Sequence, residues 1–124
     1  MTDETRFFER IETLEERAAR DEREFSPPAD PPVEERAMGF LREGVGPAVS
    51  LFVEARTGGL TVHFPPAEYD ALEGAMNTWL ELYAACYGVD VDGDFQLRTA
   101  AELMVDTHNV KDVAQLLTHV PARD

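Results

Sequence analysis

Two histidines near the C-terminal end of the chain are the first candidates for chemistry. His108 follows Asp106 by two positions, and His119 comes one short helix later. Carboxylate and imidazole groups are good zinc ligands, so one alternative function is a metal-dependent enzyme using His108 and His119. A zinc site needs at least three protein ligands, and a spacing of two directs Asp106 and His108 to different sides of a helix. We therefore expect no metal site.

The single cysteine and an acidic turn are the other chemically suggestive features. Cys86 lies in an apolar helical pattern beside two tyrosines, which predicts a buried thiol with a raised pKa rather than a nucleophile. A lone cysteine cannot form an intrachain disulfide, which fits a reducing cytoplasm. Residues 90–94 hold three aspartates, but Phe95 and Ala101 occupy the places where a calcium loop needs glycine and glutamate. We expect a protein without catalysis and without a cofactor.

A pair of C-terminal helices must position the two histidines. The pattern Thr99 to Glu102 is a capping box and predicts a helix from about residue 100, while Asn109 can cap a second helix that ends near residue 119. The sequence thus predicts a helical hairpin over about 100–119.

This helical pair also allows a DNA-associated transcriptional regulator with a helix-turn-helix as an alternative function. Lys111 and Gln115 would lie on the reading helix, with Arg98 nearby. Carboxylates outnumber bases around them, so the pair lacks the phosphate anchors that position a reading helix. Binding to nucleic acid is therefore disfavoured but stays open.

The N-terminal region has the pattern of an amphipathic helix. Phe7, Ile11 and Leu14 recur at helical spacing within residues 3–24, and charges fill the other faces. The apolar stripe is narrow and Asp21 interrupts it, so it suits docking on the same domain or pairing with another helix. The sequence leaves open which of these two occurs.

A proline-rich connector follows this helix. Four prolines within residues 26–32 exclude a helix interior or a central strand and predict an extended, stiff segment. The chain therefore divides into an N-terminal helix over 1–25, the connector over 26–32, and one compact domain over 33–124.

The next elements are a short helix and a β-hairpin. A helix is expected over about 32–43, ended by the glycines and proline of 44–47. Alternating apolar residues around Gly58-Gly59 favour a hairpin over about 48–64, although 48–56 also fit a helix. In the hairpin, Phe52 and Arg56 lie on the outer face. Phe52 is there either exposed, which indicates an interface, or covered by the first or second helix of the same chain.

A long helix over about 66–87 carries the broadest apolar surface and is expected to form the centre of the core. The predicted fold class is therefore α+β and mostly helical. It contains the N-terminal helix, the connector, one hairpin, the central helix and the C-terminal helical hairpin. No apolar run reaches the roughly 18 residues of a membrane-spanning helix, so we expect no membrane association.

The charge balance points to the solvent in which the protein works. The formal net charge is −14, from 25 acidic and 11 basic residues, and Lys111 is the only lysine. Such a charge destabilises a compact chain in dilute buffer and is screened in molar salt. We interpret the chain as a protein of a halophilic organism. Residues 36–64 are its least acidic stretch, and therefore the most plausible to be covered by a partner.

The function that these patterns favour is a small, non-catalytic, cytoplasmic protein-protein interaction or regulatory protein. Its partner would be another protein or a second copy, with a homodimer expected. The N-terminal helix and the hairpin would supply the contacts, through Phe7, Ile11, Leu14, Phe52 and Arg56. The partner and the oligomeric state are not fixed by the sequence.

Overall fold

The computed structural model describes residues 3–57 and 65–122, and all regular structure in these two ranges is helical. The elements in chain order are α1 (Asp3–Glu24), α2 (Glu34–Phe40), a π-helical segment (Leu41–Val45), α3 (Gly46–Thr57), α4 (Pro66–Ala85), α5 (Leu97–Thr107) and α6 (Val110–Thr118). The predicted α+β fold class is wrong, because no strand or sheet is present in the described ranges.

The segment predicted to form the β-hairpin, about 48–64, begins instead as α3. Residues 48–57 are helical, and 58–64 lie outside the described residues. The buried side chains of α3 follow helical spacing: Ala48, Val49, Leu51, Phe52 and Ala55. A segment this rich in apolar residues fits both periods, and packing against α4 and α5 stabilises the helical one.

The predicted break at 44–47 is also wrong, because the chain passes through it as the π-helical segment. The Gly46 N–H reaches back to the Leu41 carbonyl, one residue further than in an α-helix. Pro47 has no N–H to donate to the Glu43 carbonyl, and Arg17 Nη2 of α1 donates to that carbonyl at 2.9 Å instead. A cation on α1 thus satisfies the backbone group that the proline leaves without its helical donor.

The central helix α4 forms the middle of the core, as predicted for about 66–87. Trp79, Tyr83 and Leu80 are fully buried, and α1, α2, α3 and the π-helical segment all pack against α4. The Tyr83 hydroxyl donates to the Val120 carbonyl at 2.7 Å, which ties the end of the chain to the core.

The N-terminal helix α1 packs on α4 of its own chain. Ile11, Leu14 and Ala18 are buried there. The interruption of its stripe at Asp21 has a specific cause, because Asp21 Oδ2 accepts a hydrogen bond of 2.9 Å from the indole N–H of buried Trp79. The division of the chain into three units stays a prediction, but its first unit shares a core with the third.

The C-terminal helices begin with caps of two kinds. The predicted Asn109 cap of α6 is confirmed, since its side-chain oxygen accepts from the backbone N–H groups of Lys111 and Asp112. The predicted capping box at Thr99 is wrong: α5 begins earlier, and the Leu97 N–H donates to Glu73 Oε2 of α4 at 2.9 Å. The free N–H groups at the start of a helix can therefore be satisfied by a carboxylate that is distant in sequence, here Glu73.

Candidate functional site

The residues predicted to contact a partner lie mostly inside the chain's own core. Ile11 and Leu14 are 2% and 7% exposed, and Phe7 is half-buried against the same cluster. The alternative in which Phe52 is exposed is wrong, because α3 turns its ring into the core at 4% exposure, edge-on to the Tyr69 ring with 5.9 Å between centroids. Of this set, only Arg56 is exposed, with its guanidinium 5.5 Å from the Phe52 ring centroid.

The metal-ligand candidates are not assembled into a site. His108 and His119 are exposed and cap the C-terminal ends of α5 and α6, both in the left-handed region at φ 53° and 60°. Within residues 3–57 and 65–122, no three histidine, cysteine, aspartate or glutamate side chains are grouped to hold a metal ion. The metal-enzyme alternative, which also needs Asp106, therefore gains no support.

The two histidines instead belong to a repeated helix ending. Thr107 and Thr118 each donate their hydroxyl to the carbonyl four residues earlier, at 2.7 Å. The same hydroxyls accept from the backbone N–H groups of Asn109 and Val120. His108 and His119, each directly after one of these threonines, adopt the left-handed conformation that ends the helix. The role of both histidines here is therefore conformational.

The residues of the DNA-binding alternative point to different places. Gln115 Nε2 donates to the Pro121 carbonyl at 3.2 Å, and its Oε1 is buried without a hydrogen-bond partner, so its amide faces the protein. Lys111 is exposed at the start of α6, whereas Arg98 lies in a cleft against α3. This arrangement gives the reading-helix alternative no support.

The predicted burial of Cys86 is confirmed. Its thiol is inaccessible to solvent, and burial raises its pKa, although Arg36 nearby opposes the shift. Burial likewise raises the pKa of Tyr83, and the neighbouring Tyr87 adds to that shift.

Alkylation of Cys86 by iodoacetamide at mildly alkaline pH should be slower in the native protein than in the urea-unfolded chain by more than about tenfold. The folded state also keeps a proton that the unfolded thiol releases near its ordinary pKa of 9.0, so the free energy of unfolding should fall as pH rises above that value. Mass spectrometry of the alkylated protein and urea titrations across this pH range measure both effects. Equal alkylation rates in the two states would contradict the buried thiol.

A cleft between α3 and α5 combines an apolar lining with charged side chains of both signs. Its volume is about 390 Å³. Buried Phe52 and Ala101 and half-buried Val53 form its apolar lining, and Val105 projects from α5 with 53% of its surface exposed. The charged side chains that complete the lining are Arg56, Arg98, Glu102 and Asp106.

The charges in this cleft balance, unlike those of the whole chain. Two arginines face two carboxylates on a protein with a net charge of −14. Ion pairs in the described part of the chain join Arg10 to Glu54 and Arg20 to Asp21, and neither Arg56 nor Arg98 takes part in one. Neither guanidinium group is therefore held by a carboxylate of the described chain, and that of Arg56 lies over the Phe52 ring.

Sequence reasoning singled out Phe52 and Arg56 for a contact surface, but it named Arg98 and Asp106 only for the DNA-binding and metal alternatives and did not recognise the α5 side of the cleft. The missed signal is the helical spacing i, i+3, i+4, i+7 and i+8 of its lining residues: Arg98, Ala101, Glu102, Val105 and Asp106. Such a row lies on one face of a helix. Val105 adds an exposed apolar side chain to that row, next to the apolar lining of the cleft.

The fold and this cleft define a small all-helical domain, in which none of the described helices has the length and apolar character needed to cross a membrane. Residues 5–122 match the family described as Domain of unknown function (DUF8055), and the chain belongs to that family. No curated protein and no solved structure matches the chain.

Proposed function

We propose that the chain is a non-catalytic interaction or regulatory protein of the cytoplasm of a halophilic organism. Its contact surface is the α3–α5 cleft, and its partner is another protein or a second copy. The single observation that carries this proposal is the combination of exposed Val105 with an apolar cleft whose two arginines have no ion-pair partner in the described chain.

The energetics of binding favour this cleft. Burying the exposed half of Val105 contributes about 1 kcal/mol, and the partly buried lining adds apolar area around it. Charged groups at the rim of an interface contribute specificity more than affinity. A surface with an apolar centre and a charged edge has the general anatomy of a protein interface.

The groove between α1 and α3 is a weaker candidate. It has a volume of about 420 Å³ and includes Leu14 and Leu51, which are buried in the core. Its arginine, Arg10, is already bound to both carboxylate oxygens of Glu54, at 3.3 and 3.1 Å. A partner at this groove would have to compete with that ion pair.

Capture from a lysate of the source cells in molar KCl tests the proposal. We expect the immobilised wild-type chain to retain a defined protein, which includes endogenous copies of the chain itself. Val105→Glu should reduce that retention by more than about tenfold, because it replaces the apolar centre of the contact with a charged group that must lose its water on binding.

Leu116→Glu is the matched control, since Leu116 is 40% exposed on α6 and does not line the cleft. It should leave retention unchanged. Equal retention by Val105→Glu and the wild type would contradict the proposal.

A further inference from the structure

We propose that the occupant of the α3–α5 cleft is a second copy of this chain, docked about a two-fold axis with the two α5 helices antiparallel. This inference rests on the function proposed above and names its partner. The observations that carry it are the shape of the cleft, the order of charges along α5 and the distribution of charge over the chain.

The shape of the cleft suits pairing with itself. Val105 is the most exposed of the large hydrophobic side chains in the described residues, and it stands at the edge of the cleft that it lines. A two-fold contact uses the same patch on both copies, so each patch must offer both a projection and a recess. Val105 is the projection, and the cleft beside it, lined by Val53 and Ala101, is the recess.

The charges along α5 are ordered so that an antiparallel copy complements them. Arg98 lies in the first turn and Asp106 in the last, eight residues apart, which is about 12 Å along the helix. An axis through the middle of α5 brings Arg98 of each copy to Asp106 of the other. Arg56 lies on the facing edge of the same cleft and adds a second guanidinium to the pairing.

The net charge restricts where two copies can meet. Each copy carries −14, so their approach is repulsive unless salt screens it or the contact avoids the acidic surfaces. Residues 65–94, which contain α4 and the acidic turn, carry seven acidic and no basic residues, whereas the charged lining of the cleft balances. The contact between copies is therefore less opposed at the cleft than at residues 65–94.

The same geometry predicts how salt acts on the association. Glu102 lies midway between Arg98 and Asp106, so the axis brings the two Glu102 carboxylates together. Salt screens both the repulsion and the ion pairs at the edges, but the repulsion between two chains of net charge −14 is the larger of the two. Dimerisation should therefore strengthen as KCl increases, whereas binding to an oppositely charged partner would weaken.

Molar mass from light scattering in molar KCl is the first test. The wild-type chain should give twice the mass of one chain, and Leu116→Glu should behave in the same way. Val105→Glu should raise the dimer dissociation constant by more than about tenfold. Because Val105 is exposed, this variant should keep its helical circular dichroism spectrum.

Mixing two charge-reversed variants is the second test. Arg98→Glu alone places like charges opposite Asp106 of the other copy, and Asp106→Arg alone does the same opposite Arg98, so each variant should dimerise more weakly than the wild type. When the two are mixed, both contacts join opposite charges, and a heterodimer should form with an affinity near that of the wild type. No partner other than a second, antiparallel copy predicts this recovery.

The outcomes separate this inference from the function proposed above. A monomeric wild-type chain in molar KCl overturns the inference, as does an equal effect of Val105→Glu and Leu116→Glu on the molar mass. Failure of the mixed variants to associate overturns the antiparallel pairing. If the wild type is monomeric but captures a different protein through Val105, the occupant of the cleft is not a second copy, and the proposed function stands.

Discussion

Replacing Gly44 with alanine is expected to lower the free energy of unfolding by about 3 kcal/mol, although alanine normally favours a helix. A Cβ atom on Gly44 would lie 2.7 Å from Trp79 Cε2 and closer still to two other carbons of the indole. The ring has no room to withdraw, because Trp79 is fully buried and its N–H is bonded to Asp21. Urea unfolding in molar KCl, followed by the fluorescence of this single tryptophan, measures the loss.

Gly74 provides the matched control for this substitution. It is also a helical glycine, in α4, but an added Cβ would meet no atom within 4 Å. Gly74→Ala should therefore raise the free energy of unfolding by about 0.5–1 kcal/mol. If the two substitutions change stability in the same direction, the tight contact between the π-helical segment and Trp79 is wrong.

The second large effect is expected from salt. Between dilute buffer and molar KCl, the free energy of unfolding should rise by about 5 kcal/mol, which is comparable with the whole stability of a small domain. The physical reason is the net charge of −14, with two ion pairs in the described chain to offset it. At molar ionic strength, the screening length falls to about 3 Å and the repulsion between carboxylates largely disappears.

Neutralising exposed acidic residues tests whether screening is the cause. Glu12, Glu15 and Glu16 are exposed on α1, and changing all three to glutamine should reduce the salt dependence without disturbing the core. Sucrose, which favours burial without screening charge, should stabilise the wild type less than KCl does. A wild-type chain that is fully folded and stable in dilute buffer would contradict the interpretation of its acidity as an adaptation to salt.

The helices with strong local signals could be predicted from the sequence. The bounds of α1 match the predicted 3–24, and α6 begins where the Asn109 cap places it. In both, a clear apolar stripe or cap selects one structure. The long apolar helix α4 was also predicted, because no strand accommodates a stripe of that length.

The errors lie where tertiary contacts select between local alternatives. The apolar residues of α3 fit a strand and a helix equally, and the contact with α5 that stabilises the helix involves residues distant in sequence. Gly44 and Pro47 are typical of a chain break, but Gly44 admits the indole of Trp79 and Arg17 compensates for Pro47. Trp79 and Arg17 are distant in sequence from Gly44 and Pro47, so no local pattern could predict these contacts.

The candidate site was only partly predictable for the same reason. Phe52 and Arg56 were selected as part of a hairpin surface, and the structure places both beside the cleft. The opposite wall of the cleft exists because α5 packs beside α3. Since no local pattern predicts this packing, the sequence does not identify Val105 as a contact residue. Ile11 and Leu14 formed a visible stripe, but sequence alone cannot say whether such a stripe packs on its own chain or on another.

Photo-crosslinking from position 105 tests most directly whether the α3–α5 cleft is a protein contact surface. A photoreactive residue would replace Val105 in one variant and Leu116 in a second, and both would be irradiated in a lysate of the source cells in molar KCl. We expect position 105 to give a defined protein adduct, with the mass of two chains if the partner is a second copy, and position 116 to give none. The absence of any protein adduct at position 105, or the same adducts at both positions, would contradict the cleft as the contact surface.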